Sequence, residues 1–305
     1  MKKLSKKLLL SGLAALTIYS GFNTIDISTT YAKVNYDVFD LEAHHGGRDV
    51  RPENTLYSYA YAIELGATSI ECDMQLTKDG QIVMSHNPIL NSDITRDENG
   101  NYIENNKYDI RLMTVDELKK FDVGIMDPNC GEYYDLHGKT QFTYDAKIPT
   151  LEEVLEFIKD TDLTLNIEIK NNKVRYKNIE KDILDIVKQY EMEDKVVISS
   201  FNYKSLKRIS KLNSKVKTAY LVGPLTFKRR NLKKILKICK DCKCTYIHPS
   251  CDVVNKEFVA EAHKKGFLVQ VYTVNSVTIM KKLIKLKVDG VFTNYPKIIN
   301  TLVNG

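Results

Sequence analysis

The chain reads as an α/β protein, a (β/α)8 TIM barrel with a segment inserted after its second core strand. Three observations predict this. Apolar runs of strand length alternate with amphipathic helical stretches, making eight strand–helix units in about 270 residues. Residues with chemical potential gather at or near the ends of those strands: His44, Glu71, Asp73, Glu168, Lys170, Thr273, Asn275 and Asn294. Barrels of this type build their sites at the C-terminal ends of their strands. Finally, two strands carry charge on one face only. In Ile70-Glu71-Cys72-Asp73-Met74 and Asn166-Ile167-Glu168-Ile169-Lys170 the alternation puts Glu71, Asp73 and Gln75 on one side and Ile70, Cys72, Met74 and Leu76 on the other. The alternative is a pair of half-exposed strands with a wet face.

The elements follow in order. Tyr36–Ala43 reads as a strand running into His44-His45-Gly46-Gly47. Asn54–Leu65 reads as a helix, with Leu56, Tyr59, Ala60 and Ile63 at helical spacing and Gly66 as its stop. Strand Thr68–Leu76 follows, and Asp79-Gly80 turns it back into Gln81–Ser85. Residues of about 75–149 form the insertion, polar and irregular, with one short helix at Val115–Phe121. Thr150 then caps a helix whose stripe is Leu151, Val154, Leu155 and Ile158. Strands are predicted at Leu163–Ile169, Val196–Ser200, Val216–Leu221, Thr245–His248, Leu268–Val274 and Gly290–Thr293. Helices are predicted between them at Ile179–Tyr190, Tyr203–Leu212, Leu232–Lys240, Lys256–Lys264 and Val277–Lys285.

Residues 1–32 have the pattern of a secretory signal peptide. Lys2, Lys3, Lys6 and Lys7 precede an apolar stretch from Leu8 to Phe22, and Thr30-Tyr31-Ala32 offers a cleavage site. The apolar run falls short of the roughly 20 residues of a membrane span. The expected mature domain is 33–305, secreted. The segment carries a net +3 of the chain's formal +6, so the mature chain keeps +3, too mild a surplus to argue for nucleic acid. Six cysteines, Cys72, Cys130, Cys239, Cys242, Cys244 and Cys251, admit disulfides, including one within Cys239–Cys251. Cys239-x-x-Cys242-x-Cys244 alternatively suggests zinc, although structural zinc sites usually pair two such motifs. Cys72 faces away from the acidic residues and reads as core.

Three buried carboxylates are costly without a compensating cation. Glu71, Asp73 and Glu168 offer oxygen ligands only, which suits Ca2+ or Mg2+. Lys170, and Arg48 with it, would neutralise a phosphate. His44 and His86 end two segments aimed at the carboxylates. Two imidazoles flanking a phosphate form an acid–base pair, one activating the attacking oxygen and the other protonating the leaving alcohol.

An ordered series of motifs resembles the glycerophosphodiester phosphodiesterases from about Leu41 to Pro296. It comprises Ala43-His44-His45-Gly46, Pro52-Glu53-Asn54-Thr55, Ile70-Glu71-Cys72-Asp73, Thr77-Lys78-Asp79-Gly80 and Ser85-His86-Asn87. It continues with Ile148-Pro149-Thr150-Leu151-Glu152-Glu153-Val154-Leu155, Ile167-Glu168-Ile169-Lys170, Ser199-Ser200-Phe201, Tyr272-Thr273-Val274-Asn275 and Asp289 to Pro296. The resemblance implies hydrolysis of glycerophosphodiesters to glycerol 3-phosphate and an alcohol. It implies His44 and His86 as the catalytic pair, a divalent metal on Glu71, Asp73 and Glu168, and Lys170 at the phosphate. Three positions depart from the family pattern. His45 stands in place of a phosphate-binding Arg, a role Arg48 could take over; Asn87 and Asn294 stand in place of Asp. Tyr272 for Trp is a milder change.

Export also admits a glycerophosphate polymer of the cell wall as substrate. Competing readings are a phospholipase D-like enzyme acting on intact lipids and a non-catalytic phosphodiester-binding surface protein. The former wants an apolar rim for transient membrane contact, for which Phe121, Ile125, Met126, Tyr133 and Tyr134 are the candidates. The metal, the leaving alcohol, the disulfide pairing and the oligomeric state are left open by the sequence.

Overall fold

Strand β1 (Asp40–Ala43) is the seam where the barrel closes. It runs parallel to β2 (Ser69–Leu76) on one side and to β9 (Gly290–Thr293) on the other. From β2 the sheet passes through β4 (Thr164–Ile169), β5 (Val196–Ser200), β6 (Lys217–Val222), β7 (Tyr246–Pro249) and β8 (Leu268–Val271) to β9, every pairing parallel. The result is a closed eight-stranded (β/α)8 barrel. Strand β3 (Ile82–Met84) returns antiparallel on β2, as the Asp79-Gly80 turn predicts. This computed structural model describes residues 39–105, 107–129, 144–171 and 174–298. Residues 1–32, Lys33 and Cys130 lie outside them.

The helices are α1 (Leu56–Glu64), α2 (Val115–Leu118), α3 (Leu151–Ile158), α4 (Ile179–Gln189), α5 (Tyr203–Leu212), α6 (Pro224–Asp241), α7 (Lys256–Lys264) and α8 (Val277–Lys285). Local chemistry sets their starts. The Thr55 side chain accepts from the Ser58 N–H, and Thr150 accepts from the Glu153 N–H while Glu153 reaches back to the Thr150 N–H. The stripe of α3, Leu151, Val154, Leu155 and Ile158, is fully buried, each side chain contributing roughly 1.5–3 kcal/mol of burial. One helix departs from expectation. The sequence pattern places its start at Leu232, but α6 begins at Pro224, where proline's missing N–H costs nothing. A left-handed Asn231 (φ 49°) breaks the helix and separates the added first segment from the periodic one.

The outward faces of the strands pack against the helices through Ile70, Cys72, Met74, Ile167 and Ile169, all buried. The barrel interior is polar. Ser69 and Gln270 bond to Asp40, and Asn166 donates to Glu42 over 2.7 Å. Burial, with Asp40 beside it, pushes Glu42 well above the carboxylate range. Polar layers leading up from the bottom of the barrel bring the acidic strands into the same interior. That disposes of the wet-face alternative, since β2 is buried from Ser69 to Gln75.

The segment between β2 and α3 has a small core of its own, including Val83, Leu90, Ile110, Leu118, Phe121 and Val123. Of the candidates for an apolar rim, Phe121 is buried in this core and Met126 is buried as well, because a segment this polar needs its few large apolar side chains inside, while Ile125 is half-buried. Tyr133 and Tyr134 lie outside the described residues. The five described cysteines are free, so the disulfide within Cys239–Cys251 is not formed. Cys239, Cys242 and Cys244 are buried and belong to no three-ligand cluster among the described residues. No helix among them is long and apolar enough to cross a membrane.

Candidate active site

The register of β2 against β4 places Asp73 directly beside Glu168, with Glu71 two residues back on the same face. All three carboxylates are buried, and one oxygen from each lies within 4.8 Å of the others. Lys170, from the end of β4, spans two of them, its ammonium 2.7 Å from Asp73 Oδ1 and 3.0 Å from Glu168 Oε2. Burial raises Glu71 and Glu168. Burial opposes ionisation of Asp73 too, yet Lys170 and His45 hold it well below the usual range. The same carboxylates overcome the burial of Lys170 and keep it charged.

The chain after β1 turns sharply to deliver two histidines. His45 (φ 52°), Gly46 (φ 82°) and Gly47 (φ 87°) are all left-handed. For His45 that conformation is strained, and it is anchored by its N–H, which donates to Glu71 Oε2 over 2.9 Å. His44 lies at the mouth, its Nδ1 2.6 Å from Asn294 Oδ1. Nδ1–H donating to that carbonyl leaves Nε2 as the free basic atom. Asn294 therefore keeps the acceptor a family Asp would supply but removes its charge. Burial, and then His45, lower the pKa of His44. His86 reaches the mouth from the end of β3. Part of its surface is open, yet the surrounding protein desolvates the ring enough to lower it to about 4.

His45 is placed differently from the expectation of a phosphate contact. Its ring is buried between the other two imidazoles, 3.9 Å from that of His44 and 5.2 Å from that of His86. Nε2 lies 3.0 Å from Asp73 Oδ2 and Nδ1 lies 3.2 Å from Glu53 Oε2. Burial alone would lower its pKa, but Asp73 and Glu53 raise it to about 10. The two carboxylates favour its charged form beneath the pair. Arg48 is turned the same way, its guanidinium 2.9 Å from Glu53 Oε2.

A cavity of about 180 Å3 opens above the carboxylates, lined by His44, Glu71, His86, Glu168, Lys170, Ser199, Phe201, Leu221, Tyr272, Thr273 and Phe292. That is smaller than the roughly 300–1,000 Å3 of drug-sized sites and suits a small polar headgroup. Neither His45 nor Arg48 lines it. Asp73 also sits below the lining, which Glu71 and Glu168 reach.

Two residues that the sequence reading left without a role hold the site together. Asn54 makes two bonds to Asp73: Nδ2 donates to Oδ2 over 3.0 Å, and the Asp73 N–H donates to Asn54 Oδ1 over 3.1 Å. Glu53 gathers Arg48 and His45 and is held well below the carboxylate range, burial notwithstanding, by Arg48 first and then His45. The signal was present in Pro52-Glu53-Asn54-Thr55, where only Thr55 has an evident local duty, as the cap of α1.

The carboxylates fit a divalent cation. Asp73 Oδ1 is buried and makes a close charge contact with Lys170 but completes no aligned hydrogen bond. Three converging oxygen donors with such an unfulfilled atom among them are what a hard cation takes up.

A closed (β/α)8 barrel with carboxylates, a lysine and two imidazoles around one mouth defines an enzyme of the phosphoryl-processing kind. The family model described as the glycerophosphoryl diester phosphodiesterase family matches residues 44–298. The chain belongs to that family. It is 33% identical over 261 residues to a glycerophosphodiester phosphodiesterase of Caldanaerobacter subterraneus subsp. tengcongensis, covering 86% of this chain and 96% of that protein. Among solved structures, a Silicibacter pomeroyi protein assigned as a glycerophosphoryl diester phosphodiesterase superposes with a TM-score of 0.81 at 27% identity, over 88% of this chain and 93% of that one. An Oleispira antarctica phosphodiesterase, solved with the product sn-glycerol-3-phosphate, matches with a TM-score of 0.68 at 25% identity, over 88% and 98% of the two chains.

Proposed function

We propose that this chain hydrolyses glycerophosphodiesters to glycerol 3-phosphate and an alcohol, with a divalent cation, Ca2+ or Mg2+, held by Glu71, Asp73 and Glu168. The observation that carries the reading is the convergence of Glu71, Glu168, Lys170 and two imidazoles on one small cavity, with Asp73 grouped with the two carboxylates beneath it, in a chain of this family. The cation, when bound, stabilises charge on the phosphoryl oxygens.

The protein's own groups do the rest. Lys170 presents its ammonium at the cavity wall and neutralises the phosphate. His44, with Nδ1–H committed to Asn294, offers Nε2 to take the proton of the attacking oxygen. His86, on the other side of His45, holds the proton for the leaving alcohol. Burial lowers its pKa, and an anionic phosphate beside the ring favours its charged form. Asn54 and His45 act on Asp73 from behind and fix the acidic centre.

The substrate class extends to a glycerophosphate polymer if residues 1–32 direct export, as their charge and apolar pattern support. Export is tested by the amino terminus of the mature protein, expected near Lys33 outside the cell; a full-length chain retained in the cytoplasm refutes it. The catalytic reading is tested with glycerophosphocholine and glycerophosphoethanolamine, with Ca2+, Mg2+ or EDTA. Replacing either His44 or His86 by Ala should cost about 10² to 10⁴ in turnover with little change in affinity. Near-normal turnover in both variants refutes the acid–base assignment and favours a binding protein.

A further inference from the structure

The modest net charge conceals a strong asymmetry. Between Val196 and Cys251 the chain has fourteen Lys or Arg and one acid, Asp241, a net +13, so the other 249 residues together carry −7. Charge segregated in this way marks a surface for an anionic partner.

The fold gathers this charge on one flank. Helices α5 and α6 are neighbours on the outside of the barrel: the Arg230 guanidinium sits 5.2 Å above the Tyr203 ring, and Cys242 Sγ donates to the Tyr203 carbonyl. Lys204, Lys207 and Lys211 of α5 and Lys228, Arg229 and Lys233 of α6 are all exposed. Within this stretch, the ion pairs among the described residues are Arg208 with Glu180 and Lys237 with Asp241. Most of the positive charge is thus uncompensated by neighbouring acids.

The flank ends at the cavity mouth in an exposed apolar residue. Leu221 of β6 lines the cavity, and a Cβ on the next turn residue, Gly223, would lie 3.6 Å from the hydroxyl of Tyr272 and 3.8 Å from the ring of Phe201. Helix α6 starts there, and Leu225, in its first turn, is 70% exposed. The break at Asn231 isolates the segment that carries Leu225, Lys228 and Arg229. Phe227 between them turns inward and packs on the core.

We propose that the α5–α6 flank docks on an anionic phospholipid bilayer, with its lysines and arginines on the headgroups and Leu225 at the apolar boundary beside the cavity mouth. A basic helical face with an apolar point is the pattern of interfacial binding. Charge complementarity selects anionic lipid, and the exposed Leu225 favours a bilayer over a soluble polyanion, which has no apolar layer for it to enter. The proposal is independent of the reaction assigned to the cavity, because none of these residues touches the acidic centre.

The test is co-sedimentation of the full chain with vesicles of phosphatidylcholine alone or mixed with phosphatidylglycerol. Binding should require phosphatidylglycerol and disappear as salt shortens the screening length from about 10 Å at 0.1 M to about 3 Å at 1 M. The triple variant Lys228→Glu, Arg229→Glu, Lys233→Glu should bind on the order of 100-fold more weakly. Leu225→Asn should bind roughly 10-fold more weakly. Both variants should hydrolyse a soluble glycerophosphodiester as the wild type does, which also reports that they fold. If the triple variant does not fold, the salt series on the wild type and Leu225→Asn decide alone. Binding that ignores phosphatidylglycerol, or survives the charge reversal in a folded variant, overturns the proposal. So does equal affinity for a soluble polyphosphate or RNA together with an inert Leu225→Asn.

Discussion

Lys170→Met is the most informative single change at the acidic centre. The ammonium lies 2.7 Å from Asp73 and 3.0 Å from Glu168, and Asp73 is fully buried. Removing one partner of a buried ion pair typically costs about 3–5 kcal/mol. Methionine fills much of the same volume, so the loss is mainly of charge. Asp73 keeps Asn54 and His45 as partners, and the charge they do not balance is relieved by taking up a proton on the carboxylate. An ordinary Asp titrates near 3.9, and each unit of pH above that costs about 1.4 kcal/mol, so neutralising Asp73 at pH 7 costs about 4 kcal/mol. At pH 5 the same step costs about 1.5 kcal/mol. In the wild type the folded pKa of Asp73 is depressed, so its contribution is present above the unfolded value and is lost as pH falls. That loss begins only below about pH 4, so between pH 7 and pH 5 the change in the gap comes from the variant alone. The stability gap between wild type and Lys170→Met should be about 3–4 kcal/mol at pH 7 and shrink to about 1.5 kcal/mol at pH 5. Urea unfolding in EDTA at the two pH values measures it, and added divalent cation should close part of the gap by mass action. A gap below about 1 kcal/mol at pH 7, or one that does not change with pH, would show that Lys170 does not hold these carboxylates.

Other changes probe the same frame. Glu168→Gln should weaken Ca2+ and Mg2+ binding by at least about 10-fold in calorimetry, and an unchanged Kd removes Glu168 from the ligand set. His45→Gln should lower stability in EDTA by about 1–3 kcal/mol, because Asp73 and Glu53 lose a shared partner; equal stability would place His45 outside the charge network. His248 is wholly buried on β7 and its pKa is lowered to about 3 by burial. Its folded pKa lies below the unfolded value near 6.5, so the unfolded chain takes up the proton first and stability falls as pH drops from about 6.5 toward 3. His248→Phe should remove roughly 1.4 kcal/mol per pH unit of that acid sensitivity, and an unaltered slope between pH 6 and pH 4 refutes it.

The sequence by itself determined the barrel. Val196–Ser200, Gly290–Thr293, Tyr203–Leu212, Lys256–Lys264 and Val277–Lys285 form as their patterns predict, because short buried strand runs and period-3.6 helical stripes are written locally. The polar face of β2 and β4 was legible for the same reason, and with it Glu71, Asp73, Glu168 and Lys170. His44 and His86 were legible from their places at strand ends. Only the tertiary structure decided what lies between these groups. His45 and Arg48 are neighbours of His44 in the chain, yet the left-handed turn at His45 sends them inward to Asp73 and Glu53, away from the cavity. Asn54 reaches Asp73, and Asn294 reaches His44 across 250 residues, because β1 closes the sheet between β2 and β9. The run of positive charge from Val196 to Cys251 stands in the sequence, but only the barrel sets α5 and α6 side by side and makes one flank of it.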